Sequence, residues 1–258
     1  LKRFTQSART LSGLALTTVA SGAAFRAADS VTITKVIFQP ITRRAARRTL
    51  TGRNRLRHAP QRGRFTRADV DRLISQAWAT YAREALTLPP QPTHGSRLNV
   101  RLACLTVGLF RALLEFGTER AYAVKLVADT IWNVYRYWGL PGKLLAHVRP
   151  DAASRRVYNH DPVPLRFPFN PPGYLAKPVP LANGLGFDMV RCAVATYFRE
   201  QGAINLCLGA RCNLDYALGE MTGQKLVRTK TLVEGDDRCD FRWYPASSAA
   251  RSSGRMSA

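Results

Sequence analysis

Lys225-Leu226-Val227-Arg228-Thr229-Lys230-Thr231-Leu232-Val233, then Glu234-Gly235-Asp236-Asp237, then Arg238-Cys239-Asp240-Phe241-Arg242-Trp243, is the stretch that decides the fold. Its two outer runs alternate apolar and polar residues, and the acidic, glycine-bearing middle is turn chemistry. That is a β-hairpin pattern. Ala203 to Leu208, just upstream, reads as a further strand. Before that the period changes from two to that of a helix.

A helix is predicted from about Phe187 to Gln201, stopped by Gly202. A helix from Thr118 to Trp138 carries the stripe Val124, Val127, Ala128, Ile131, Trp132 and Tyr135 and ends at Gly139. Another, capped by Ser96, places Leu98, Leu102, Leu105, Leu109, Leu113 and Phe116 inward and stops at Gly117. The earliest begins at Thr66, with Asp69 at the third position in a near capping box, and carries Val70, Leu73, Ile74, Ala77 and Tyr81. Residues 139–186 are rich in Pro and Gly and read as a long insertion, and a loop of that length is usually functional or held by a partner. The expected fold is α+β: a layer of about four helices on a small antiparallel sheet that ends in the hairpin. This domain spans residues 66–244, and 245–258 is a Ser/Ala/Arg tail.

Residues 1–65 read differently. The chain has 258 residues and a net charge of +22, yet +14 of it lies in residues 1–67, where Asp29 is the sole acid. Arg43, Arg44, Arg47, Arg48, Arg53, Arg55 and Arg57 form a run without apolar periodicity, which should not fold alone. Pro40 interrupts a preceding amphipathic pattern. Residues 10–25 carry no charge, but these sixteen residues fall short of the roughly 20 that span a bilayer, so they read as a docking or membrane-associated helix. The Arg- and Ser/Thr-rich, acid-poor start is the composition of an organelle-targeting remnant. Such an arm needs an anionic partner: lipid phosphate or RNA phosphate. The five cysteines form no secreted framework and read as reduced thiols. Cys207 and Cys212, with Cys192 and Cys239 distant, make a poor zinc pattern, so no metal and no cofactor is expected. Phosphate-loop and dinucleotide glycine motifs are absent.

Arg191-Cys192, Cys212-Asn-Leu-Asp215, Arg228-Thr229-Lys-Thr231-Leu232 and Gly235-Asp-Asp-Arg-Cys239-Asp240-Phe241 together resemble the L-2-amino-thiazoline-4-carboxylic acid hydrolase family. Ala112-Leu-Leu-Glu115-Phe-Gly117 is similar to a helix end of the same family, whereas residues 1–65 lie outside the resemblance. The resemblance implies Cys212 and Asp215 as catalytic residues for C–N hydrolysis of a small-molecule substrate. Physically, Cys-x-x-Asp on a helical turn puts thiol and carboxylate on one face. The carboxylate would raise the thiol pKa, so a cation is required, and Arg211 and Arg228 are the candidates. Arg228 is equally placed for a cross-strand ion pair with Asp240. No His belongs to this constellation, His160 being the sole outsider.

The arm tilts the expected function away from an independent enzyme. The leading expectation is an accessory, non-catalytic subunit of a large mitochondrial assembly. An inner-membrane energy-transducing complex (ATP synthase or respiratory chain), matrix side, comes before the mitochondrial ribosome. Neighbouring subunits and an anionic lipid such as cardiolipin are the expected partners, with rRNA as the alternative. An active thiazoline, cyclic-amidine or amide hydrolase using Cys212 and Asp215 is the rival.

Overall fold

The computed structural model describes residues 31–53, 65–138, 168–222 and 224–245. Expectations for residues 10–25, for Arg55 and Arg57, for His160 and for the tail lie outside these residues. The fold is α+β, as expected, with a helical layer and one four-stranded antiparallel sheet.

Helix α1 covers Val31–Leu50. Four arginines of the run that should not fold alone, Arg43, Arg44, Arg47 and Arg48, lie in its C-terminal half, Arg53 follows its end, and the helix continues through Pro40. Among its described side chains the buried ones are Phe38, Thr42, Ala45, Ala46, Thr49 and Leu50, which recur at helical spacing. The arginines occupy the remaining faces. Proline in a helix interior costs about 3 kcal/mol, but Pro40 is exposed and the buried stripe on both sides of it holds the helix in place. Helix α1 packs on α2 (Arg67–Glu84) and α4 (Arg120–Trp138). Buried Asn133 of α4 donates to Thr49 Oγ1 at 3.2 Å, and Arg47 holds both oxygens of Asp71 on α2 at 3.0 and 2.9 Å. Phe38, Ala46 and Leu50 thus belong to the main core, so the folded body begins before residue 66.

Thr66 caps α2 in a reciprocal capping box with Asp69. Helix α3 covers His94–Glu115. Its N-cap is Thr93 and not Ser96; Ser96 sits at the third position and answers Thr93 from inside the helix. A Thr three residues earlier, in extended backbone, makes the better cap. Gly117 follows its end with φ +76°, the left-handed conformation that stops helices. Helix α2 buries the stripe read from the sequence, and α3 buries all of its own but Leu102 and Phe116, which are half-buried; in α4, Val127 and Ile131 are buried and Val124, Ala128 and Trp132 half-buried against the core, whereas Tyr135, expected inside, is exposed and Leu126 and Val134 take the buried positions instead.

The expected loop 139–186 contains the edge strand β1 (Tyr174–Val179). The expected helix 187–201 is half strand. Strand β2 is Leu185–Cys192 and helix α5 is only Ala193–Glu200, capped by Cys192 and followed by Gly202 at φ +61°. Phe187 and Met189 are pulled into the sheet by neighbours distant in sequence: β2 pairs with β1 on one side and with β4 (Cys239–Pro245) on the other. The strand expected at 203–208 is helical instead: α6 (Ile204–Cys207) runs into a π-helical turn, Leu208–Cys212, and then α7 (Leu214–Thr222). Strand β3 (Gln224–Val227) pairs with β4, so the hairpin exists with a longer connection than expected. Strand order is β1-β2-β4-β3.

Candidate functional site

The residues singled out by sequence meet where the π-helical turn, the start of α7 and the segment after β3 converge. The π-helical turn, hydrogen-bonded i→i+5 in place of i→i+4, brings Cys212 beside Cys207. Their sulfurs lie 3.8 Å apart. The wider turn is closed by the Asn213 N–H donating to the Leu208 carbonyl at 2.8 Å. Asp215, three residues beyond Cys212, stands in the first turn of α7.

Arg228 leaves the sheet where β3 ends. Its guanidinium donates to Asp215 Oδ2 at 3.1 Å, to the Cys212 carbonyl at 3.1 Å and to Asn213 Oδ1 at 3.4 Å. It lies 5.2 Å from the ring centre of Tyr216 and 5.4 Å from that of Phe241. Phe241 in turn stacks on Phe187 at 4.8 Å. Only 3% of the Arg228 side chain is accessible. A guanidinium clamped between two rings and satisfied by three acceptors is fixed in place.

The partner of Arg228 is therefore Asp215, not Asp240 as cross-strand spacing permits. Asp240 accepts from the N–H groups of Thr229 and Lys230 at 2.8 and 2.6 Å and from the Thr229 hydroxyl at 2.6 Å. Those bonds satisfy backbone groups that no strand pairs once β3 has ended. Burial, the largest single influence on Asp240, pushes its carboxyl up, yet these hydrogen bonds together hold it below the usual range. The rest of the connection is tied the same way: Thr231 N–H to Asp236, Thr231 hydroxyl to Glu234, and Leu232 N–H to the Cys239 sulfur at 3.2 Å.

The electrostatics of the site follow. The Cys212 thiol is pushed far above its ordinary range, first by the hydrogen bond with Cys207, then by burial and by the negative charge of Asp215; Arg228 opposes this and does not prevail. The Asp215 carboxyl is raised to about 6 by burial, against the pull of Arg228, although 34% of its side chain is accessible. The second candidate cation, Arg211, directs its fork at Thr106 Oγ1 at 3.3 Å. Cys192 caps α5 through its sulfur and is raised by burial to about 12; Cys239 is raised by burial to about 11. All five cysteines are free. Among the described residues no group of three or more His, Cys, Asp or Glu is placed to hold a metal ion.

Cys207, burial and Asp215 all favour the neutral thiol at Cys212, whereas activation as a nucleophile requires a depressed pKa or an adjacent base. Asp215, at about 6, is in the range of a general base, but its free oxygen is all that Arg228 leaves it. Sequence reasoning found Cys212, Asp215 and Arg228 through their motif letters. It missed Cys207, Tyr216 and Phe241 as their supports; the π-helical turn and the ring clamp leave no local signal.

Elsewhere, Arg43, Arg44, Arg47, Arg48 and Arg53 come together, joined by Arg67, around a cavity of about 650 Å³. A second cavity of about 580 Å³ opens between α3, α4 and α6, beside Phe110, Arg120 and Ile204. Neither is lined by Cys212, Asp215 or Arg228. Among the described residues no helix is long and apolar enough to cross a membrane.

Residues 181–243 match the family model of L-2-amino-thiazoline-4-carboxylic acid hydrolase. The match covers β2 through nearly all of β4 and the site between them, and the resemblance read from the motif letters holds for that C-terminal region. The similar helix end at Ala112–Gly117 lies outside the matched span. No curated protein and no solved structure matches the chain significantly.

Proposed function

We propose that the chain is an accessory, non-catalytic subunit of a large mitochondrial assembly, an inner-membrane energy-transducing complex. In this reading the hydrolase-like region is a scaffold, and the Arg-rich face of α1 meets anionic lipid such as cardiolipin and neighbouring subunits. The supporting observation is the state of Arg228. Its fork is spent on Asp215, the Cys212 carbonyl and Asn213, and its faces are covered by two rings. Arg228, the cation that lowers the Cys212 pKa among the described residues, is spent as a pin between the turn at Cys212 and the end of β3. Motif letters kept in this arrangement serve the fold.

The charge of the first 67 residues supports the second half of the reading, since a surface this cationic binds polyanions or membranes rather than a small neutral substrate. The test is native migration of the tagged chain extracted from the cells that express it. Co-migration with a particle of megadalton order, sensitive to detergent and not to ribonuclease, is the expected result. Ribonuclease sensitivity would move the reading to the mitochondrial ribosome, and a free small oligomer would overturn it.

One observation favours the rival reading, a cyclic-amidine or amide hydrolase. Asp215 titrates near 6, where a general base works well. That reading requires Cys212 to become a thiolate, which Cys207, burial and Asp215 all oppose.

A further inference from the structure

Arg211 is half-buried, and the one hydrogen bond of its side chain among the described residues runs from Nη2 to the Thr106 hydroxyl at 3.3 Å. No described carboxylate pairs with it, and its Nε is buried without a partner. Thr106 is 1% accessible and itself donates to the Leu102 carbonyl at 2.7 Å, so it anchors the guanidinium inside the fold without neutralising it. A cation drawn out of water with a hydroxyl as its sole partner carries a desolvation cost that a counter-anion offsets. Two more orphan donors lie nearby. Tyr174, 2% accessible, opens β1, pairs with Cys192 of β2 and sets its ring edge-on to Phe169. The residue before it presses on the first turn of α3: a Cβ on Gly173 would meet Ser96 at 2.5 Å. That close approach brings the Tyr174 hydroxyl beside Asn99, three residues further along α3. Tyr174 Oη and Asn99 Nδ2 are both buried without a hydrogen-bond partner among the described residues. Asn99 and Thr106, seven residues apart, share one face of α3, so Arg211 reaches the face that carries Asn99.

The donors select their partner. Burial first, and Cys192 next, hold the Tyr174 hydroxyl well above its usual range, against the pull of Asn99 and of the Arg211 charge, so it keeps its proton and can donate. The Asn99 and Arg211 nitrogens donate and cannot accept, so the partner is an acceptor. Water would satisfy the hydrogen bonds and leave the guanidinium charge unbalanced. One cation calls for one negative charge, and a planar fork matches a planar carboxylate. A phosphate brings further charge with no second cation to meet it. Atoms this buried are beyond the reach of a membrane headgroup or a folded partner, whereas Tyr135, 36% accessible and close enough to act on the Tyr174 hydroxyl, puts the group near the surface. We infer that Arg211, Tyr174 and Asn99 form a binding site for the carboxylate of a small, free monocarboxylic acid. The site goes beyond the subunit reading and does not depend on it.

The experiment uses the full chain and three probes at equal ionic strength: isotope-labelled acetate, acetamide and chloride. Acetate is expected to bind saturably by carbon NMR, with a Kd of roughly 1 mM or tighter, and to raise the unfolding temperature. Acetamide, the same shape without the charge, should do neither. R211M should weaken acetate binding about tenfold or more by removing the cation. Y174F keeps the ring and loses the hydroxyl, and should weaken it about threefold or more; it keeps the site testable if R211M fails to fold. R199Q removes an arginine that donates to the Leu232 carbonyl elsewhere, and should change binding less than about twofold. The site is overturned if acetate shows no saturable binding, if acetamide binds as tightly as acetate, or if chloride displaces acetate at equal concentration. Unchanged acetate binding in R211M or in Y174F would overturn it as well. A chain that co-migrates with a large assembly yet ignores acetate refutes the site alone; acetate binding by a chain that migrates free refutes the subunit reading alone.

Discussion

Arg228 joins the π-helical turn to the sheet by charge, hydrogen bonds and ring contacts at once. Removing it strands the Asp215 carboxylate in a site that already disfavours charge, and it opens a gap between Tyr216 and Phe241. Arg228→Ala is expected to destabilise the fold by roughly 2–4 kcal/mol, below the top of the range for broken buried pairs because Asp215 is partly exposed. Urea unfolding measures it; a loss under about 0.5 kcal/mol, the size of an ordinary surface substitution, would refute the pin. Two carboxylates here have opposite pH signatures. Asp215, raised to about 6 from an ordinary 3.8, holds its proton more tightly in the folded state, so its contribution to stability grows as pH falls from above 6 towards 4. Asp240, held below the usual range, stabilises at pH 7 and loses that contribution as pH falls through its lowered folded value. The wild type should therefore gain on Asp215→Asn between pH 7 and pH 4, while its advantage over Asp240→Asn shrinks in acid. The letters of this site were legible because they sit close together in sequence. The partner of Arg228 was not, because it depends on where the chain leaves β3.

At the scale of elements, helices α2 to α4 were legible from their own residues. Their stripes are local, and their stops at Gly117 and the Thr66 cap are single-residue chemistry. Thr66→Ala should cost about 1 kcal/mol by removing the hydroxyl that receives the Asp69 N–H; an unchanged urea midpoint would contradict the cap. Strand β2 was illegible for the opposite reason. Asp188 faces Asp240 across the sheet, a like-charge pair tolerated because Arg242 at 2.7 Å and Arg238 at 3.3 Å take Asp188 while backbone N–H groups take Asp240. Residues about 50 positions away in sequence hold this stretch in the sheet, and no window along the chain contains them.

At the scale of the molecule, the division between domain and arm moves. Charge made residues 43–50 look foreign, yet Ala45, Ala46, Thr49 and Leu50 are fully buried between the arginines. Small buried residues give a faint hydrophobic signal beside so many charges. A chain beginning at Phe65 would expose the faces of α2 and α4 that α1 covers. At about 1.5–3 kcal/mol for each large side chain, losing Phe38 and Leu50 alone removes several kcal/mol from a total of about 5–15. That truncation should lose its cooperative unfolding transition; an unchanged midpoint would make α1 an appendage. The helix that joins the core also presents the arginine-lined cavity.

Under the proposed function this chain keeps its hydrolase-like region for its shape and not for its thiol. The most direct measurement is the rate at which purified full-length protein opens 2-amino-thiazoline-4-carboxylate, compared with Cys212→Ala, at pH 7 and 8. No opening above the buffer rate is expected for either protein at either pH. Ring opening by the wild type that disappears in Cys212→Ala would contradict it.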